Sequence, residues 1–315
     1  MFTSISFHDF RGFTELKLDG LQRVNLIVGK NNAGKTSLLE GIGMLADPRQ
    51  IGKMPGLLRA NIGNVGQRYF RWLVNDAATS RLALLTAETG QGSICIAFTL
   101  GKHAVPIPNG LSRVGGVGQV TFAGTPKREA TPWRMVSVQH RNPDELTKMF
   151  GQAVRQKGGE AWMEQLLRTV EPRIQKVRVD PAEDGNLIVV DVGLSEMVPL
   201  SQAGQGLYRL VTIFSELIGG RAQLCLIDEI ENGIHHTAHE QVWTGIAEVA
   251  AQLDVQVFAT THSGECLEAA HEAFAKRPSY DLGVIQLFRV EAGVQGRVLD
   301  RKHIEAAISG DIELR

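Results

Sequence analysis

The residues that could do chemistry fall in three places. One is a glycine loop closed by a lysine and a threonine, another is a pair of carboxylates at the end of an apolar run, and the third is a histidine at the end of a second apolar run. The loop is Gly29-Lys30-Asn31-Asn32-Ala33-Gly34-Lys35-Thr36-Ser37, between the β-prone Val24-Asn25-Leu26-Ile27-Val28 and Leu38-Leu39-Glu40. Strand, tight loop and helix start together turn several backbone N–H groups and a helix dipole toward one anion, so this stretch reads as a phosphate-binding P-loop. Gly29 and Gly34 permit backbone angles and close approach that a side chain would block. Lys35 is expected to reach the β- and γ-phosphates, and the Thr36 hydroxyl to ligate Mg²⁺.

The carboxylates close Leu224-Cys225-Leu226-Ile227-Asp228-Glu229. Four apolar residues before two acids describe a buried central strand, whose end presents Asp228 to a metal ion and Glu229 to a water. Two adjacent acids at a strand end are costly without a cation or a phosphate site nearby. The histidine ends Val255-Gln256-Val257-Phe258-Ala259-Thr260-Thr261-His262. On a strand beside that of Asp228, His262 would come within reach of a γ-phosphate. A further helix start, Leu200-Ser201-Gln202-Ala203-Gly204-Gln205-Gly206, precedes the apolar spacing Leu210, Ile213, Phe214 and Leu217, and is a second place able to meet an anion. His235, His236 and His239 lack a fourth ligand placed for zinc.

Several elements must position these groups. Residues 2–28 predict two antiparallel strands feeding the loop strand. Leu38, Leu39, Ile42 and Leu45 predict a helix packing one face on the sheet and stopped at Asp47-Pro48. Residues 50–135, glycine-rich with short β-prone runs, predict an antiparallel sheet with long loops. A helical segment is expected from Pro143 to Pro172, and a strand over Asn186–Val192. Residues 148–178 carry seven basic against three acidic side chains, net +4, read as a solvated helical face.

The 315 residues, 43% hydrophobic, can bury a large core, and a net charge of −1 does not describe a polycation that coats nucleic acid. No apolar run approaches the ~18 residues of a membrane span, and Met1-Phe2-Thr3-Ser4 lacks the layout of a signal peptide, so a cytoplasmic protein without membrane contact is expected. Cys95, Cys225 and Cys266 have no metal or disulfide spacing and are expected to be free thiols.

P-loop, serine-glycine helix start, hhhhDE and strand-ending histidine, in that order, resemble the ATP-binding cassette (ABC) ATPases. The likeness places Walker A at 29–36, a signature at 200–206, Walker B at 224–229 and a switch histidine at 262. Phe7-His8-Asp9-Phe10-Arg11-Gly12-Phe13 and the Gly-Lys-Asn-Asn-Ala-Gly-Lys-Thr loop look like the SMC/RecF/OLD branch. Leu226-Ile227-Asp228-Glu229-Ile230-Glu231-Asn232-Gly233-Ile234-His235 is similar to short OLD-like AAA-type ATP-binding proteins of bacteria. The 53 residues after His262 are too few for the Toprim nuclease domain of OLD nucleases.

The resemblance implies an α/β P-loop fold with a mixed central sheet, an antiparallel β lobe and a small helical lobe. It implies one ABC-type domain over 1–315, with an N-terminal lobe at 1–138, a helical insert at 139–185 and a C-terminal lobe at 186–315. It further implies a head-to-tail homodimer closing on two Mg·ATP. Gly29, Asn31, Asn32, Ala33, Gly34, Lys35, Thr36 and Ser37 of one subunit would hold nucleotide, and Ser201 and Gly204 of the other would touch the γ-phosphate. Asp228, Thr36 and Gln139 would serve Mg²⁺, Glu229 the attacking water and His262 the γ-phosphate, with Arg11 on a nucleotide phosphate. The signature has one more residue between its serine and glycine than LSGGQ. The function implied is an ATPase whose ATP-bound dimer signals to a separately encoded effector, such as a nuclease or toxin in phage defence. A RecF-like DNA clamp is the alternative, and a transporter cassette fits less well.

Overall fold

The apolar runs pair into one central sheet. In the computed structural model, β3 (Val24–Val28), β12 (Leu224–Ile227) and β13 (Gln256–Thr260) are buried along their whole lengths, as strands covered on both faces must be. The structure describes residues 1–48, 72–75, 82–100, 112–117, 120–124, 130–137, 143–182, 185–291 and 293–310. With β8 (Trp133–Val136), β14 (Leu282–Val290) and β15 (Gly293–Leu299), these strands form a six-stranded sheet ordered β15-β14-β3-β13-β12-β8. All neighbours are parallel except the β14–β15 hairpin. The loop strand β3 therefore lies between β13 and β14. No motif or periodicity in the sequence announces β14, β15 or α7 (Arg301–Ser309).

Alternate residues of these strands enter two different cores. Val24, Leu26, Val28, Cys225, Ile227, Val257 and Ala259 face one. Ile27, Leu224, Leu226 and Phe258 face the other. The second core is roofed by α1 (Lys35–Ala46) and an antiparallel sheet ordered β2-β1-β4-β5-β7-β6. Its strands are β1 (Phe2–Phe10), β2 (Phe13–Asp19), β4 (Leu82–Thr89), β5 (Gly92–Leu100), β6 (Ser112–Val117) and β7 (Val120–Gly124). Phe7, Phe10 and Phe13 meet edge to face inside it, with ring centroids 5.3 and 5.8 Å from Phe7. Gly41 of α1 lies directly under the Phe7 ring, where a Cβ would collide with it. Gln256, buried on β13, ties this roof to the central sheet: it accepts from Phe2 N–H at 2.7 Å and donates to Phe2 O at 2.8 Å and Gln22 O at 2.9 Å.

The first core is covered by α2 (Pro143–Val154), α3 (Gly159–Val170), α4 (Gln205–Gly219), α5 (His239–Gln252) and α6 (Gly264–Ala275), with a small sheet ordered β11-β10-β9. That sheet comprises β9 (Lys176–Ala182), β10 (Gly185–Asp191) and β11 (Val198–Pro199). The helical segment expected over 143–172 is built as two helices, because Gly158 takes a left-handed φ of 79° and the Cβ of any residue at 159 would strike the Ala153 carbonyl. The single basic helical face expected over 148–178 is likewise corrected: Lys176 and Arg178 lie on β9. Arg168 is committed to the carbonyl of Ile174 at 2.8 Å and to Glu164 at 3.0 Å. The three cysteines are free thiols, Cys225 and Cys266 buried. No helix among the described residues is long and apolar enough to cross a membrane.

Candidate functional site

Parallel β3, β12 and β13 end on the same edge of the sheet, which gathers the P-loop, Asp228-Glu229 and His262. Thr261 N–H donates to Ile27 O at 3.0 Å, stitching the histidine strand to the loop strand at that edge.

The loop is built for close approach. Gly29 has φ 151°, and a Cβ there would lie 2.5 Å from the Leu287 carbonyl of β14. Gly34 caps α1 with φ 88° beneath the Phe13 ring, and Asn32 is also left-handed at 64°. Asn31 and Asn32 are exposed, Ala33 is buried, and Gly34 to Ser37 are half-buried. Lys35 Nζ is folded back on the loop's own carbonyls, 2.6 Å from Gly29 O and 3.2 Å from Lys30 O. Burial pulls its ammonium below the ordinary lysine range, opposed by Glu231, Glu229 and Asp228. Lys35 thus feels all three carboxylates that follow β12. An anion-sized cradle with left-handed glycines and a helix N-terminus fits a nucleotide phosphate chain.

Across the sheet edge, Asp228 is buried, and that burial pushes its carboxyl above the usual range, against the pull of the Thr260 hydroxyl. The hydroxyl donates to Asp228 Oδ1 at 2.7 Å and accepts from Glu229 N–H at 2.8 Å. Glu229 sits at φ 47°, a left-handed angle unusual for a residue with a side chain. Arg209 of α4 holds this turn from the other side: its guanidinium donates to the carbonyls of Ser137, Asp228 and Glu229. Burial lowers the Arg209 pKa, against the pull of the Asp228, Glu231 and Glu229 carboxylates. A buried carboxylate at a strand end and a hydroxyl on the first turn of α1 are hard oxygen donors of the kind Mg²⁺ takes, so Asp228 and Thr36 fit that ion.

Sequence reasoning missed Thr260 and Arg209. Arg209 left a signal, being a charge between the apolar Leu207 and Leu210 on a face otherwise destined for the core.

Ser201 and Gly204 are exposed. Ser201 is not the cap of α4: it lies in a one-turn 3-10 helix at Leu200–Gln202, which takes up the additional residue of the motif, and Gly204 caps α4 at φ 103°, ψ 150°. Gly206 packs against the turn after β12, where a Cβ would lie 2.7 Å from Gly233 O. His262 is exposed and pairs with Glu231, Nδ1 to Oε1 at 2.9 Å. Arg11, expected on a phosphate, is instead turned to buried Glu40 of α1 at 2.6 Å, its own side chain only 10% exposed. Gln139 lies outside the described residues. His235 and His236 stack with ring centroids 4.3 Å apart, whereas His239 is buried in α5.

Comparisons with known proteins agree with this geometry. A family model described as "AAA domain, putative AbiEii toxin, Type IV TA system" matches residues 124–267, a span that holds Arg209, Asp228, Glu229 and His262 and leaves out the P-loop. A Helicobacter pylori protein described as an ATP/GTP phosphatase is 23% identical over 88% of this chain and 89% of its own length. Among solved structures, an SmcHead bound to the C-winged helix domain of ScpA superposes with a TM-score of 0.64 at 11% identity, over 98% of this chain and 99% of that one. An Smc head with an extended coiled coil, bound to the C-terminal domain of ScpA from Pyrococcus furiosus, gives 0.62 at 9% identity over 99% of both chains. The chain has the α/β P-loop ATPase fold of SMC head domains.

Proposed function

We propose that this chain is an ATPase, converting ATP and water to ADP and phosphate, and that its ATP-bound form is a head-to-tail homodimer. The observation that carries the reading is the convergence on one sheet edge of Lys35, Asp228, Glu229 and His262, with Lys35 in the field of the carboxylates. The loop amides, Lys35 and Thr36 hold the phosphates, and Glu229, held left-handed by Thr260 and Arg209, orients the attacking water. Bound Mg²⁺, held by Thr36 and Asp228, would neutralise phosphate charge, and Gln139 is the further contact that the family resemblance implies. Exposed Ser201 and the Gly204 cap supply the partner site, so γ-phosphate contacts from both subunits exist only in the closed dimer and hydrolysis removes them. Arg11 stays with Glu40 in this reading unless nucleotide competes for it.

The finer assignment is to the OLD-like group of short bacterial ATPases, working in the cytoplasm as one domain and signalling to a separately encoded nuclease or toxin effector in phage defence. The likeness to SMC heads favours a second reading, a DNA clamp that hydrolysis resets. Salt-dependent DNA binding that weakens on neutralising Lys148, Arg155 and Lys157 would support it.

The test is the mass in solution of Glu229→Gln protein with and without Mg·ATP, alongside wild-type phosphate release. Doubling of the mass on ATP supports the dimer. A mutant that binds ATP yet stays monomeric removes it.

A further inference from the structure

We propose that Glu231 is the positioning residue of the switch histidine: it fixes the backbone start and the ring tautomer of His262, so that only Nε2 can address a phosphate. The inference deepens the ATPase reading and rests on it. Glu231 lies in the turn between β12 and α5, a turn pinned by Ile230 N–H to Thr260 O at 3.0 Å and Ile234 N–H to Glu231 O at 3.0 Å. From there Oε1 accepts two hydrogen bonds from one residue, the backbone N–H of His262 at 2.8 Å and its ring Nδ1 at 2.9 Å. A carboxylate only accepts, so Nδ1 carries the proton. The ring then meets a phosphate oxygen as a donor only through a second proton on Nε2, and Glu231 supplies the charge that balances the imidazolium so formed.

Two observations set this apart from an ordinary surface ion pair. The Glu231 side chain is 9% exposed against 54% for His262, so the anchor is buried and the ring faces outward. Its second oxygen, Oε2, is buried without a hydrogen-bond partner. Glu231 is also the carboxylate that acts most strongly on Lys35, so one anion faces both the loop lysine and the histidine. It is placed to hold the two γ-phosphate contacts in register.

The experiment uses the full chain, ¹⁵N-labelled at histidine, with His262→Gln assigning the His262 ring among the nine histidines. Long-range ¹⁵N–¹H spectra read its tautomer, and ATP turnover is measured for Glu231→Ala, Glu231→Leu, His262→Ala and the Glu231→Ala/His262→Ala double variant. The expected result is an Nδ1-protonated ring in wild type that is lost in both Glu231 variants, neither of which offers Nδ1 an acceptor. Turnover is expected to fall about tenfold or more with KM for ATP unchanged, and the double variant to be no slower than His262→Ala alone. Glu231→Leu nearly keeps the side-chain volume, so folding failure of the alanine variant does not remove the test. An unchanged His262 tautomer in the Glu231 variants, or losses that multiply in the double variant, overturns the proposal. Absence of any wild-type turnover would sink the ATPase reading, while the tautomer still decides the positioning role.

Discussion

The two glycine-led helix starts, α1 and α4, are held by different means. The start of α1 is fixed by chain continuity: β3, the loop and the helix follow one another, and Gly29 and Gly34 let the loop nest against Leu287 O and the Phe13 ring. The start of α4 is fixed by distant partners, Gly206 seated on Gly233 O and Arg209 reaching the carbonyls of Ser137, Asp228 and Glu229. A locally built site fails when its own residues change. A site built by long-range contacts carries information between regions, because moving α4 moves the carbonyl of Glu229.

Substitutions at four positions test that contrast. Lys35→Ala strikes the local site and should cut kcat/KM for ATP by about 10²–10³-fold with the melting temperature nearly unchanged, read by phosphate release and calorimetry. Arg209→Ala strikes the long-range link. It should lower stability by about 3 kcal/mol in denaturant titration and reduce turnover as well, because Glu229 loses the bond that helps hold its left-handed angle. Arg209→Lys should not restore turnover, since a single ammonium cannot span three carbonyls. If Arg209→Ala lost stability alone, the link would be structural only. Gly204→Ala meets open space but sits at a backbone angle that suits glycine, so a cost of about 2 kcal/mol is expected, with ATP-dependent dimerisation weakened and monomer nucleotide affinity retained. Gln256→Ala should affect turnover the least: it should lower stability by about 3 kcal/mol, because backbone groups of Phe2 and Gln22 lose their partner, and raise hydrogen exchange at Phe2 without touching nucleotide affinity.

The same contrast explains what was legible in the sequence. The P-loop strand and helix, the buried strand before Asp228 and the strand before His262 are contiguous patterns, and β3, α1, β12 and β13 sit where those patterns put them. Whatever depends on distant residues escaped. The hairpin β14–β15 carries no recognisable motif to attract notice, although β14 is a direct neighbour of the loop strand. Thr260 and Glu231 are ordinary polar residues until the fold brings a carboxyl or an imidazole within 3 Å. Arg11, which the resemblance assigns to nucleotide, has in this fold a partner in Glu40 that no contiguous pattern announces.

The position of β3 has a consequence for synthesis. Its two neighbours, β13 and β14, both come from the last third of the chain, more than two hundred residues after it leaves the ribosome. Until they arrive, a strand of four apolar residues and Asn25 waits with both edges unpaired, the kind of segment that recruits other chains. Nucleotide cannot reward early folding of a loop whose flanking strands do not yet exist. Chains cut before residue 256 should therefore aggregate, not merely lose activity, and synthesis at low temperature or with holdase chaperones should matter more for this chain than its composition suggests.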